Sequence, residues 1–111
     1  MQGEPNTHAR TKTARATSTA NAAGVVTIAA IADEWHVIDQ VDVSYSGAPT
    51  GASLTIAFGG VTKYLAQIER AGIVSVRFDR GLMTGTENEA VVFTTAAGGG
   101  SLTSEVNVLY R

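Results

Sequence analysis

The stretch that decides the fold is EWHVIDQVDVSYS, residues 34–46. Trp35, Val37, Val41, Val43 and Tyr45 share one parity, while Glu34, His36, Gln40, Asp42, Ser44 and Ser46 share the other. Successive side chains of a strand point to opposite faces, so a period of two describes a strand with one buried and one wet side. Ile38 and Asp39 break the alternation side by side. A β-bulge there would absorb the break, because one extra residue shifts the register by one. The alternative is an outer face that is itself partly covered.

Outward from this strand the same grammar continues. Gly24–Ala30 is short and β-branched, and Gly47-Ala48-Pro49-Thr50-Gly51 has the composition of a turn. Leu54, Ile56 and Phe58 alternate inward, and Gly59-Gly60 is a two-residue hairpin signal with Val61–Ile68 as the returning strand. Val74, Val76 and Phe78 alternate with Ser75, Arg77 and Asp79. Arg80–Asn88 reads as a polar loop, Glu89–Thr95 as a strand, Gly98-Gly99-Gly100 as a turn and Leu102–Tyr110 as the closing strand. Tyr64–Arg70 is the one segment that could form a turn of helix. Many short strands joined by glycine-rich turns predict an all-β domain. The expected form is a jelly-roll-like antiparallel β-sandwich, with an up-and-down barrel as the alternative.

Residues 1–23 stand apart. They contain no Val, Ile, Leu, Phe, Trp or Tyr and so cannot bury a face of their own. The expected division is therefore an extended N-terminal arm, 1–23, and a sandwich domain, 24–111. Charge divides with it. Residues 1–20 hold Arg10, Lys12 and Arg15 against Glu4, a balance of +2; the rest hold 5 of the 8 basic and 9 of the 10 acidic side chains, a balance of −4. The arm either frays or is ordered by a partner surface, at a cost of about 1–2 kcal/mol per residue in backbone entropy.

The chain offers little for catalysis. It has no cysteine, which excludes disulfides and thiolate metal sites, and two histidines. His8 lies in the arm, and His36 falls on the expected wet face, too far along the strand from Ser44 for a nucleophilic pair. One placed histidine is too few for zinc. Asp33, Glu34, Glu87 and Glu89 could bind calcium only if their two loops met. The glycine runs lack the Lys and Ser/Thr of a phosphate loop. No catalytic residue, metal or cofactor is therefore assigned. Trp35, Tyr45 and Tyr110 take the expected inward parity, leaving Tyr64 as the aromatic available for an exposed contact. Three arm charges without an interleaved aromatic give only weak nucleic-acid binding. No apolar run is long enough to span a membrane.

VIDQVDVSYSG (37–47), GASLTIAFGG (51–60) and GTENEAVVFTTAAGGGSL (85–102) resemble small β-sandwich virion proteins of tailed bacteriophages, the capsid decoration (cement) and head-fibre proteins. The resemblance runs from about Asp33 to Arg111 and rests on turn and strand phrases. It implies a jelly-roll-like fold, homotrimers, and a terminal arm lying on a shell of major capsid protein. It also implies a place on the virion surface, after assembly in the host cytoplasm. On that footing Arg10, Lys12 and Arg15 are candidates for touching the shell. Ile38, Leu65 and Leu109, whose parity opposes the expected core, are candidates for the contact between copies. A receptor- or glycan-binding head-fibre or tail module is the alternative role.

Overall fold

The computed structural model describes residues 12–83 and 88–111. Eight strands follow one another: β1 (Lys12–Thr17), β2 (Gly24–Ile28), β3 (Val37–Tyr45), β4 (Ala52–Phe58), β5 (Val61–Ile68), β6 (Gly72–Met83), β7 (Val91–Thr95) and β8 (Ser104–Tyr110). They form two four-stranded antiparallel sheets, ordered β1-β8-β3-β6 and β2-β7-β4-β5. No helix occurs among the described residues. Two separate sheets make the fold a jelly-roll sandwich and exclude the barrel.

The pairing has a simple rule. β4 pairs with β5, β3 with β6, β2 with β7 and β1 with β8. The chain is thus one long hairpin, folded over so that every connection except β4–β5 passes between sheets. Its central turn is Gly59-Gly60, with φ of 56° and 88°. Positive φ at both positions is what a tight hairpin turn requires, and glycine adopts it without steric cost.

Alternation places the core as expected over most of the chain. Val26, Ile28, Val41, Val43, Leu54, Ile56, Phe58, Val91, Phe93, Val106 and Val108 are buried between the sheets. Apolar burial of this kind contributes about 1.5–3 kcal/mol per large side chain. Val74, Val76 and Phe78 are half-buried on the edge strand β6. There the Phe78 ring meets the Tyr64 ring of β5 edge-on, at 5.4 Å between centroids. This contact closes one side of the sandwich, and β1 packs beside β2 on the other.

One end of the core is polar. The Gly24 amide donates to Thr95 Oγ1 at 3.2 Å, and Thr95 Oγ1 lies 2.9 Å from Ser104 Oγ. Ser104 N donates to Ser18 Oγ at 2.8 Å, and the Tyr45 hydroxyl donates to the Ala96 carbonyl at 2.6 Å. Buried polar groups are tolerated where they satisfy one another, and this set ties the β1–β2 and β7–β8 crossovers together. Burial raises the Tyr45 pKa above its ordinary value, and the hydrogen bond with Thr95 offsets part of the rise.

Three expectations are corrected, the bounds of the arm, the end of β6 and the parity ahead of the bulge, while the returning strand and the bulge itself are as expected. Residues 12–17, assigned to the arm, form β1: β8 supplies its ladder, and Ala14 and Ala16 pack against the core. Tyr64–Ile68 is strand, since β4 offers it a ladder partner at every residue. β6 runs on to Met83, past the expected start of the loop at Arg80. Finally, the bulge is present where β3 skips Asp39 in both of its ladders. It inverts the parity ahead of it, so His36 and Ile38 are buried and Trp35 is exposed.

Candidate binding surfaces

Of the arm residues proposed to touch a shell, Lys12 and Arg15 lie on β1, and Arg10 lies outside the described residues. Both basic groups turn toward β8 of their own sheet. Arg15 Nη2 stands 3.6 Å from Glu105 Oε1, and Lys12 Nζ sits 5.8 Å from the centroid of the Tyr110 ring. An exposed pair such as Arg15–Glu105 contributes little to stability and remains open to another partner.

The residues proposed for contact between copies separate. Ile38 is fully buried and has no surface to offer, because the bulge at Asp39 turns it into the core. Leu65 is 55% exposed on the edge strand β5. Leu109 is half-buried on the outer face of β8, between Thr13 of β1 and Gln40 of β3.

The two outer faces differ in kind. Ladder rows across the β1-β8-β3-β6 sheet read Thr13–Leu109–Gln40–Arg77, Arg15–Asn107–Asp42–Ser75 and Thr17–Glu105–Ser44–Ile73. This face carries charge, and its charges engage their neighbours. Gln40 Nε2 donates to Asp42 Oδ1 at 2.9 Å, and Arg77 Nη2 donates to Gln40 Oε1 at 3.2 Å. A shallow cleft of about 210 Å³ opens beside Thr17, Ser44, Ser46, Thr103 and Glu105. A second, of about 100 Å³, adjoins it along Asp42, Ile73 and Asn107. Their hydroxyl, amide and carboxylate lining suits hydrogen bonding.

The opposite face carries charge only at its β5 margin, at Lys63. Its rows are Val25–Thr94–Thr55–Leu65 and Thr27–Val92–Ala57–Thr62, followed by Ser53–Gln67. Lys63 is skipped by the ladder at the β4–β5 bulge and stands at the edge. A flat array of short uncharged side chains can be covered without stripping water from any ion, which is the costly part of desolvation.

A third surface lies at one end of the sandwich. Trp35 is 44% exposed and Ile31 accompanies it in the β2–β3 loop. The neighbouring His36 is buried, its Nε2 2.9 Å from the Ala29 carbonyl and its ring edge-on to Tyr110 at 6.1 Å. The exposed indole and the buried histidine exchange the places that a single strand parity gives them. Reading the bulge through to its consequence would have found both. The β2–β3 and β6–β7 loops do meet, since the Asn88 amide donates to the Glu34 carbonyl at 2.9 Å. Even so, no three His, Asp or Glu side chains converge on a metal-sized site among the described residues; Glu87, of the expected calcium set, lies outside them. No helix among the described residues is long and apolar enough to cross a membrane.

No family model matches the sequence, and neither does any curated protein. Solved structures do match. A chain of the acid-stable capsid of the Helicobacter pylori bacteriophage KHP30 superposes with a TM-score of 0.60 at 19% identity, over 93% of this chain and 88% of that one. PirA gives 0.53 at 16% identity, over 94% and 99%. The CBM36-1 domain of a multidomain xylanase, from the hindgut metagenome of Trinervitermes trinervoides, gives 0.52 at 12% identity, over 89% and 95%. At these identities the likeness is one of fold: the jelly roll is shared almost end to end.

Proposed function

We propose that the chain is a virion structural protein that decorates and stabilises a bacteriophage capsid. It sits on a shell of major capsid protein, with the polar segment ahead of β1 lying along that shell. It acts by binding and packing, without catalysis. The observation that carries this reading is the TM-score of 0.60 with the KHP30 capsid chain, over 93% of this chain and 88% of that one, against 0.53 for PirA and 0.52 for the CBM36-1 domain. The resemblance of 37–47, 51–60 and 85–102 to phage virion proteins points the same way. The outer face of the β2-β7-β4-β5 sheet offers a seat on the shell, and the basic N-terminal segment with Arg10 and Lys12 adds attraction to acidic patches that would raise the association rate. Arg15, on the outer face of the other sheet, is turned away from that seat. Repetition over a symmetric shell multiplies modest contacts through effective concentration. The protein acts as a homo-oligomer, for which the resemblance implies a trimer.

Shells assembled from a bacteriophage major capsid protein without this chain provide the test. The purified protein is expected to cosediment with them and to raise their melting temperature. Placing two carboxylates on the outer face of the β2-β7-β4-β5 sheet, as in Thr55→Glu with Thr94→Glu, is expected to abolish both effects while the domain stays folded. Shells that neither bind the protein nor gain heat resistance would overturn the proposal.

A second reading, a glycan- or receptor-binding module, is favoured by one observation, the exposure of Trp35. An indole face beside polar groups can stack on a sugar ring. Trp35 is the chain's single tryptophan, so its fluorescence reports directly. Quenching or a blue shift on titration with surface polysaccharide of the host bacterium would support this reading, and an unchanged spectrum would remove it.

A further inference from the structure

Four strands lie at sheet edges, and three of them are protected against pairing. β1 packs beside β2 and carries Lys12 and Arg15. β2 is only five residues long. β6 is irregular where its ladder jumps from Arg77 to Leu82 while β3 advances from Gln40 to Ile38. Short, charged and irregular edges are the usual defences against edge-to-edge association.

β5 is less guarded. Its one bulge lies at Lys63, which leaves Tyr64–Ile68 as a regular edge. The most exposed large apolar side chains among the described residues crowd this side of the sandwich: Val61 at 57% and Leu65 at 55% on β5, and Ile73 at 69% on β6. The Tyr64–Phe78 ring contact holds the two strands together behind them.

We infer that the β5 edge binds β5 of a second copy of this chain, antiparallel about a two-fold axis through Ala66. The occupant follows from charge complementarity. With Ala66 on the axis, Leu65 faces Gln67, and Lys63 of each copy, at the bulge, comes beside Glu69 of the other, just past Ile68, at either end of the pairing. One register thus forms both ion pairs at once, as an isologous contact requires. A register centred on Leu65 would set Lys63 opposite Gln67 and leave both charges unmatched. The alternation of the β4 ladder agrees. Ser53 O accepts from Ala96 N of β7, so Leu54 and Ile56 bond toward β5 through Ala66 and Tyr64. The free backbone groups of β5 are then those of Leu65 and Gln67, the pair this register joins. The two β2-β7-β4-β5 sheets become one continuous eight-stranded sheet, giving a dimer in place of the trimer implied by the resemblance.

The test uses the full chain in solution without shells, so that its outcome is independent of shell binding. Light scattering across a concentration series is expected to give the mass of two copies. Lys63→Glu is expected to weaken the dimer by about tenfold, since it sets like charges beside one another at both pairs. Adding Glu69→Lys to it is expected to restore association. The chain has no cysteine, so Ala66→Cys is expected to give a covalent dimer on mild oxidation, because residues facing across a non-hydrogen-bonded antiparallel pair lie within disulfide reach. Thermal melts of each variant confirm that it folds. A monomer at every concentration, a mass of three copies, or a Lys63→Glu variant that associates like the parent would overturn the inference.

Discussion

The Arg111 guanidinium grips the Asp39 carboxylate through two hydrogen bonds, Nη2 to Oδ1 at 2.8 Å and Nε to Oδ2 at 3.0 Å. Asp39 is the residue that the β3 ladders skip, so the pair pins the bulge to the strand end beside it. Backbone bonds reinforce it, Val37 N to Arg111 O at 3.0 Å and Arg111 N to Val37 O at 2.8 Å. Both side chains are partly exposed, which limits what the pair contributes. Asp39→Ala is expected to cost about 0.5–1 kcal/mol in urea unfolding, with the loss shrinking at high salt. A loss above about 3 kcal/mol would mean that the bulge itself depends on the pair.

Gly24 sits where a side chain has no room. A Cβ there would stand 2.7 Å from Thr95 Oγ1 and 3.0 Å from Ser104 Oγ. Gly24→Ala must therefore push apart hydroxyls that satisfy one another in the buried end of the core. The expected cost is about 1–3 kcal/mol. Gly51 is the control for glycine replacement at large: its φ is +65° but nothing lies near its Cβ position, so Gly51→Ala is expected to show backbone strain alone.

Tyr45 supplies a pH dependence. Burial raises its pKa in the folded protein above the ordinary value of 10.0. The fold therefore favours the neutral phenol. The stability this contributes is whole below pH 10.0 and is lost as pH climbs from there through the raised folded value. Tyr45→Phe is expected to reduce stability at neutral pH by about 1–3 kcal/mol, since the Ala96 carbonyl loses its donor. It is also expected to flatten the alkaline limb above pH 10.0 relative to the parent. Urea midpoints at neutral and alkaline pH measure both effects.

Trp35 is expected to behave as a surface residue. Acrylamide should quench its emission readily in the native state, and Trp35→Ala should cost under about 1 kcal/mol. His36→Ala, one position along and buried against Tyr110, is expected to cost more, about 2 kcal/mol, because it empties a filled site and leaves the Ala29 carbonyl short of a partner. If the two effects came out reversed, the inverted parity ahead of the bulge would be wrong.

Much of the fold was legible in the sequence because alternation is a direct print of burial. Leu54–Ile56–Phe58 and Val106–Val108 point inward as their spacing says, and Gly59-Gly60 turns where two positive φ values are needed. The failures share a cause. β1 has no large apolar residue, so nothing in KTARAT announces a strand; it exists because β8 presents a ladder and Ala14 and Ala16 are small enough to lie over the core. Trp35 was misplaced because hydrophobicity and parity agreed with each other, while the bulge at Asp39 set both aside. The uncharged rows of the second sheet could not be seen at all, since Val25, Thr94, Thr55 and Leu65 become one row only after four strands are placed side by side.

The nested strand pairing has a consequence for how the chain could be rewired. Because β1 lies antiparallel to β8, Lys12 stands directly opposite Tyr110, while the Gly59-Gly60 turn marks the far end of the doubled ribbon. A short linker running from Arg111 back to Lys12 would close the path into a loop. The chain could then be cut open at 59–60 with every ladder left in place, giving a circular permutant that begins on β5 and ends on β4.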